Sequence, residues 1–142
     1  MNAEENKALV RRYIDQLNQR NVAILEELVA NEFREAVRQG YLRNITAFPD
    51  YFVEILDMVA EGDQVVVEWS HTGVHNGVYD GLPPTGKTIT GSAISIYRVR
   101  DGQIVDARGA WDQAAIWQQL GLIPDTATIW RQDPGRDRQS GQ

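Results

Sequence analysis

At 142 residues the chain has room for one hydrophobic core and not for two, and 42% hydrophobic against 24% charged residues excludes a mainly disordered polymer. With 14 basic and 20 acidic residues the net charge is -6, so no overall positive field gathers nucleic acid or anionic lipid, and neither is expected as a partner. The absence of cysteine removes disulfides, thiolate nucleophiles and thiolate metal ligands together; His71, His75 and carboxylates are too sparse a set to expect a metal.

The first residues carry no apolar run of signal type, and no stretch approaches the ~20 apolar residues of a membrane span, which points to a cytoplasmic protein. Over residues 4–19, Leu9, Val10, Tyr13, Ile14 and Leu17 recur at helical spacing opposite Arg11, Arg12, Asp15 and Gln16, predicting an amphipathic helix. Val22, Leu25, Leu28 and Val29 predict a shorter second helix closed by Phe33. Tyr41, Leu42 and Ile45 predict a third within residues 39–48, ended by Pro49.

After Pro49 the period becomes extended. Residues 51–60 carry Phe52, Val53, Ile55, Leu56, Met58 and Val59 on both faces, as in a strand covered on both sides. Glu61-Gly62-Asp63 is turn chemistry, and residues 65–72 complete a hairpin. A glycine- and proline-rich connection over 73–86 leads to strands at 88–99 and 103–111, joined by a tight Asp101-Gly102 turn. Asp112 is placed to cap a terminal helix reaching Leu120. Residues 1–131 are expected to form one domain and the polar residues 132–142 a disordered tail. Helices followed by a four-stranded meander define an α+β class, with helices packed on one face of a curved antiparallel sheet.

Alternation divides each strand into two lists of side chains. One list of the third strand is Ile89, Gly91, Ala93, Ser95 and Tyr97, and one of the fourth is Val105, Ala107, Gly109 and Trp111. Both are small at the centre. Either a ligand fills the missing volume, or the gap admits a bulky helix residue such as Tyr13 or Phe33, or it relieves sheet curvature. On the first alternative, Ala93, Ser95, Tyr97, Gly109, Trp111, Trp69 and Phe33 are expected to touch that ligand.

Five residues are candidates for proton transfer. Glu68 interrupts a β-branched run, and burial toward a cavity would raise its pKa; facing outward it is an ordinary rim or dimer-interface residue. His71 lies an odd number of residues from Glu68 and should point to the opposite face. Glu35 stands at a possible cavity mouth or in solvent. Tyr13 falls on the apolar stripe of the first helix, His75 in the connection as a base or a hydrogen-bonded structural group, and Asp112 is a helix cap before it is an acid.

Four stretches, Asn6 to Tyr13 (NKALVRRY), Ala60 to Trp69 (AEGDQVVVEW), Gly73 to Gly86 (GVHNGVYDGLPPTG) and Arg98 to Asp112 (RVRDGQIVDARGAWD), closely resemble the SnoaL-like polyketide cyclase, or ester cyclase, family. The resemblance runs from Asn6 to about Ile123. It implies the cone-shaped fold shared with ketosteroid isomerase and scytalone dehydratase, a homodimer pairing through the outer sheet face, and cofactor-free acid–base chemistry on a small hydrophobic, polyketide-like ligand. Cyclases of the family close a ring by intramolecular aldol condensation, with an acid near the end of the last strand. Here Gly109 stands at that acid's position and Ser95 at that of a nearby cavity histidine, and neither can transfer the proton.

Glu35-Ala36 keeps only the acid of a frequent acid–histidine pair, and Glu68 replaces a common arginine. The chain also resembles the polyether epoxide hydrolases of the same fold, with Tyr13, Glu35 and Glu68 at comparable places. Three readings follow: a cyclase or isomerase using Glu35, Glu68 and Asp112 with Tyr13 and His75 in support; an epoxide-opening enzyme using Tyr13, Glu35 and Glu68; and a non-catalytic ligand-binding homodimer.

Overall fold

A computed structural model describes residues 2–125; the tail expected at 132–142 lies outside them. Helix α1 spans Ala3–Asn18, capped by the Asn2 side chain, which accepts from the Glu5 N–H at 2.8 Å. Its stripe of Leu9, Val10, Tyr13 and Ile14 is buried as the spacing required. Helix α2 is one short turn, Ile24–Leu28, and α3 runs over Asn31–Ala47. Strands β1 (Phe52–Glu61), β2 (Gln64–Val74), β3 (Thr88–Arg100) and β4 (Gln103–Trp111) form a four-stranded antiparallel meander in chain order, and α4 (Gln113–Gln119) follows. At the β3–β4 turn Asp101 and Gly102 both have positive φ, as the Asp-Gly pair requires.

Helix α3 is longer than its apolar pattern predicts, and it takes up Phe33 and Glu35. The break before it is set by the sheet. Val29 makes a parallel bridge to Ile104, and the Ala30 N–H donates to the Ile104 carbonyl at 2.9 Å. Arg34 then donates to the carbonyls of Leu25, Glu26 and Val29 at the end of α2, adding to the Val29 N–H that already caps Leu25. A new helix can therefore begin at Asn31 without a gap in hydrogen bonding.

The main core joins α1 and α2 to the sheet through Leu9, Val10, Ile14, Leu25, Leu28, Val65, Val67, Val99 and Ile104. A second cluster of Ala47, Phe48, Tyr79, Ile89, Ile116 and Leu120 lies under α4. By contrast, Ala47 is the one buried residue of α3's seventeen, so most of this helix stands off the sheet. That gap is the origin of the cavity described below.

Two ladder irregularities re-aim the strands. On β1, partners pass from Ile55 to Asp57 and leave Leu56 unpaired; on β4 they pass from Ile104 to Asp106 and leave Val105 unpaired. The inward list of β4 is therefore Ile104, Ala107, Gly109 and Trp111, with Ile104 buried in the place that strict alternation assigns to Val105. The expectation that β1 is covered on both sides also fails within one chain: Phe52, Leu56 and Val59 are 51%, 48% and 57% exposed on the outer side.

Candidate functional site

Between α3 and the inner face of the sheet lie two adjoining compartments of about 260 and 290 Å³, the first bounded also by α1 and the second by α4. The first is walled by Tyr13, Ile14, Leu17, Val37, Tyr41 and Tyr97, the second by Phe48, His71, Tyr79, Ser95, Gly109 and Trp111. No Asp or Glu lines either one. The alternation of β2 explains which of its residues enters. Val65, Val67 and His71 are buried and Trp69 half-buried on the inner face, whereas Glu68 and Thr72 are exposed on the outer one.

His71 is therefore the histidine of the cavity floor, and Arg20, Arg43 and Arg108 also border the two compartments. Its ring lies 5.8 Å from Tyr51 and 5.6 Å from Trp69, centroid to centroid. Burial lowers its pKa from the ordinary 6.5, favouring the neutral imidazole, and its Nδ1 is buried without a partner. Gly91, directly opposite on β3, makes room for the ring: a Cβ there would sit 2.6 Å from His71 Nε2. Beside it, Ser95 Oγ accepts from Trp69 Nε1 at 2.9 Å and meets the Tyr97 hydroxyl, whose pKa burial pushes up to about 12. Burial likewise raises Tyr13 and Tyr51, so all three phenols stay protonated hydrogen-bond donors.

The proposed carboxylates are elsewhere. Glu35 lies on the solvent side of α3, paired with Arg38 at 2.6 Å and bonded to Gln39 at 2.7 Å; those two partners, Gln39 first, hold its carboxyl below the usual range. Glu68 faces out beside Ser92, Ile94 and Asp112 on the other side of the sheet. Asp112 caps α4 by accepting from the Ala115 N–H at 2.9 Å. An acid–base machine built on Glu35, Glu68 and Asp112 is thus corrected, as is the epoxide-opening set, since only Tyr13 of its three members reaches the cavity.

His75 is fully buried, but in the β2–β3 connection: its Nδ1 meets Thr85 Oγ1 at 2.9 Å and accepts from the Thr85 N–H at 3.2 Å, with Phe48 and Tyr79 against its ring. It organises that loop and lines neither compartment. Of the expected ligand contacts, Trp69, Ser95, Tyr97, Gly109 and Trp111 line the compartments. Ala93 does not, because it fits between its ladder partners Trp69 and Trp111, and Phe33 packs against the main core instead.

His71 is the cavity group not among the candidates drawn from the sequence, although parity holds the signal: Val65, Val67, Trp69 and His71 are more apolar than Val66, Glu68, Ser70 and Thr72. Tyr51, Asn44, Arg43 and Gln113 line the compartments as well, without a local pattern to mark them. Gln113 accepts from Trp111 Nε1 at 2.9 Å and donates to the Tyr79 hydroxyl at 3.0 Å; Arg43 pairs with Asp80 and stacks 5.3 Å over the Tyr79 ring.

Among the described residues no group of three or more His, Asp or Glu side chains is arranged to hold a metal, and no helix is long and apolar enough to cross a membrane. Solved structures share the fold, and two of them show how closely. AclR from Streptomyces galilaeus superposes with a TM-score of 0.78 at 21% identity, covering 98% of this chain and 95% of that one. TsrD from Streptomyces laurentii gives 0.80 at 20% identity, covering 87% and 99%. In sequence, the chain is 32% identical over 79 residues to the aklanonic acid methyl ester cyclase DnrD of Streptomyces peucetius, a stretch that is 56% of this chain and about half the length of that relative, 54%. The SnoaL-like polyketide cyclase model matches residues 7–120, and the chain belongs to that family.

Proposed function

We propose that the protein catalyses a cyclase-type reaction on a small, largely aromatic polyketide-like substrate held in the two compartments, with neutral His71 as the proton acceptor. The observation that carries this reading is the place of His71: on the inner face, between Tyr51 and Trp69 and shifted toward the neutral form. In an aldol closure the imidazole takes a proton from the carbon next to a carbonyl, and the enolate carbon attacks a second carbonyl of the same molecule. The imidazolium then returns the proton to the new alkoxide, so one C–C bond forms and nothing is consumed. A hydroxyl donor, Ser95 or Tyr97, steadies the enolate oxygen.

Protein-dependent exchange of the α-protons of a methyl-ketone ester into deuterated water, followed by NMR, tests the step; an exchange rate no faster than buffer removes it. The family cyclases' own acid is absent at Gly109, and no carboxylate lines the cavity. That favours a second reading, binding without turnover, for which saturable ligand binding with buffer-rate exchange is the expected pattern.

The outer sheet face, where Phe52, Val59 and Ile94 are at least half exposed, is our proposed surface for pairing two copies. Light scattering at micromolar concentration is expected to give the mass of a dimer, and a monomer mass would end that assignment.

A further inference from the structure

Four residues line both compartments and so form the waist between them: Gly40 and Asn44, one turn apart on α3, and Tyr51 and Trp69. Glycine inside a helix is destabilising relative to alanine, so such a residue ordinarily answers a need of the backbone. Gly40 answers none. Its φ is not positive, and a Cβ there would meet no atom within 4 Å. What the missing side chain leaves is open space where the compartments join.

A second observation points to what fills that space. Tyr13, only 9% exposed, lines the first compartment, and among the described residues its hydroxyl has no hydrogen-bond partner. In the second compartment His71 Nδ1 is buried and also without one. A buried polar group left without a partner destabilises the fold, and the His71 Nδ1 is such a group. One molecule long enough to bring an oxygen to Tyr13 while its other end lies against the His71 imidazole is held from both compartments at once.

We infer that Gly40 sets the length of ligand that the cavity admits. Its missing side chain lets a single elongated, flat, largely apolar molecule, carrying a carbonyl or hydroxyl oxygen at one end, run through the waist and occupy both compartments. The inference rests on the cavity being the ligand site; it adds the ligand's shape and the residue that reads it.

The test compares a two-ring probe, a naphthoquinone, with a four-ring probe, a naphthacenequinone, by quenching of tryptophan fluorescence in wild type, Gly40→Ala and Gly40→Leu. Wild type is expected to bind the four-ring probe more tightly. Gly40→Leu is expected to weaken that probe by about tenfold or more and to leave the two-ring probe within about twofold. Gly40→Ala supplies a variant that should fold better than wild type, with a thermal midpoint higher by about 3 °C, and yet bind the four-ring probe less well. Equal losses for both probes, or none for the four-ring probe, overturn the inference and leave the cavity reading standing. A wild type that binds neither probe overturns both.

Discussion

Changing His71 to Gln is expected to cut the α-proton exchange rate by about 10²- to 10⁴-fold while ligand binding stays within about threefold, because glutamine keeps a polar side chain of similar reach but cannot accept the proton. The pH profile sharpens the test. The imidazole is active as a base only when neutral, and burial lowers its pKa from 6.5. Activity should therefore hold on the alkaline side of 6.5 and fall only at more acid pH, below the value of a free histidine.

Stability carries the same sign. The unfolded chain takes up the proton first, so the His71 contribution is fully present above pH 6.5 and is lost as pH falls through the lower folded pKa. His71→Gln should flatten that part of the urea-midpoint profile. An unchanged exchange rate in the variant would remove His71 from the chemistry, whatever its effect on folding.

The second large effect is structural. Gly77→Ala is expected to destabilise the fold by about 3 kcal/mol, seen as a lower urea midpoint at unchanged slope. A Cβ at Gly77 would lie 1.8 Å from the Thr46 carbonyl oxygen, which belongs to rigid helix backbone and not to a movable side chain. The collision falls where the β2–β3 connection is tied to α3, since the Asn76 and Gly77 N–H groups both donate to the Ala47 carbonyl, at 3.2 and 3.0 Å. Pushing the loop away breaks those bonds and unseats His75 and Tyr79 from Phe48. Gly40→Ala has the opposite expected sign for the same chemical change, because only Gly77 has backbone in the way.

The elements that the sequence made legible are those whose pattern is local. The α1 stripe, the Asp101-Gly102 turn and the Asp112 cap each follow from residues a few positions apart, and all three stand in the structure. The start of α3 was hidden because it depends on a bridge from Val29 to Ile104, seventy-five positions away. The face of Glu68 was undecided for a similar reason. Alternation states that Glu68 and His71 part company, but which of them meets the helices is fixed by packing against α1. The small inner residues were legible as missing volume, yet part of that volume belongs to neighbours: Gly91 yields to His71, and Ala93 to two tryptophans.

The unpaired Val105 has a bearing on how the ladder avoids mistakes. If Val105 were drawn into regular pairing opposite Arg98, every later residue of β4 would turn over, and Asp106 and Arg108 would enter the cavity in place of Ala107 and Gly109. Burying an unpaired carboxylate and guanidinium against phenol rings is strongly unfavourable. These two charges act as sentinels of the pairing: they contribute little where they sit and forbid the neighbouring alternative. Replacing both with apolar residues would leave the present structure's contacts nearly intact while removing the penalty on the slipped one, so a protein meant to hold an open cavity gains its single register from two charged residues and not from its apolar lining.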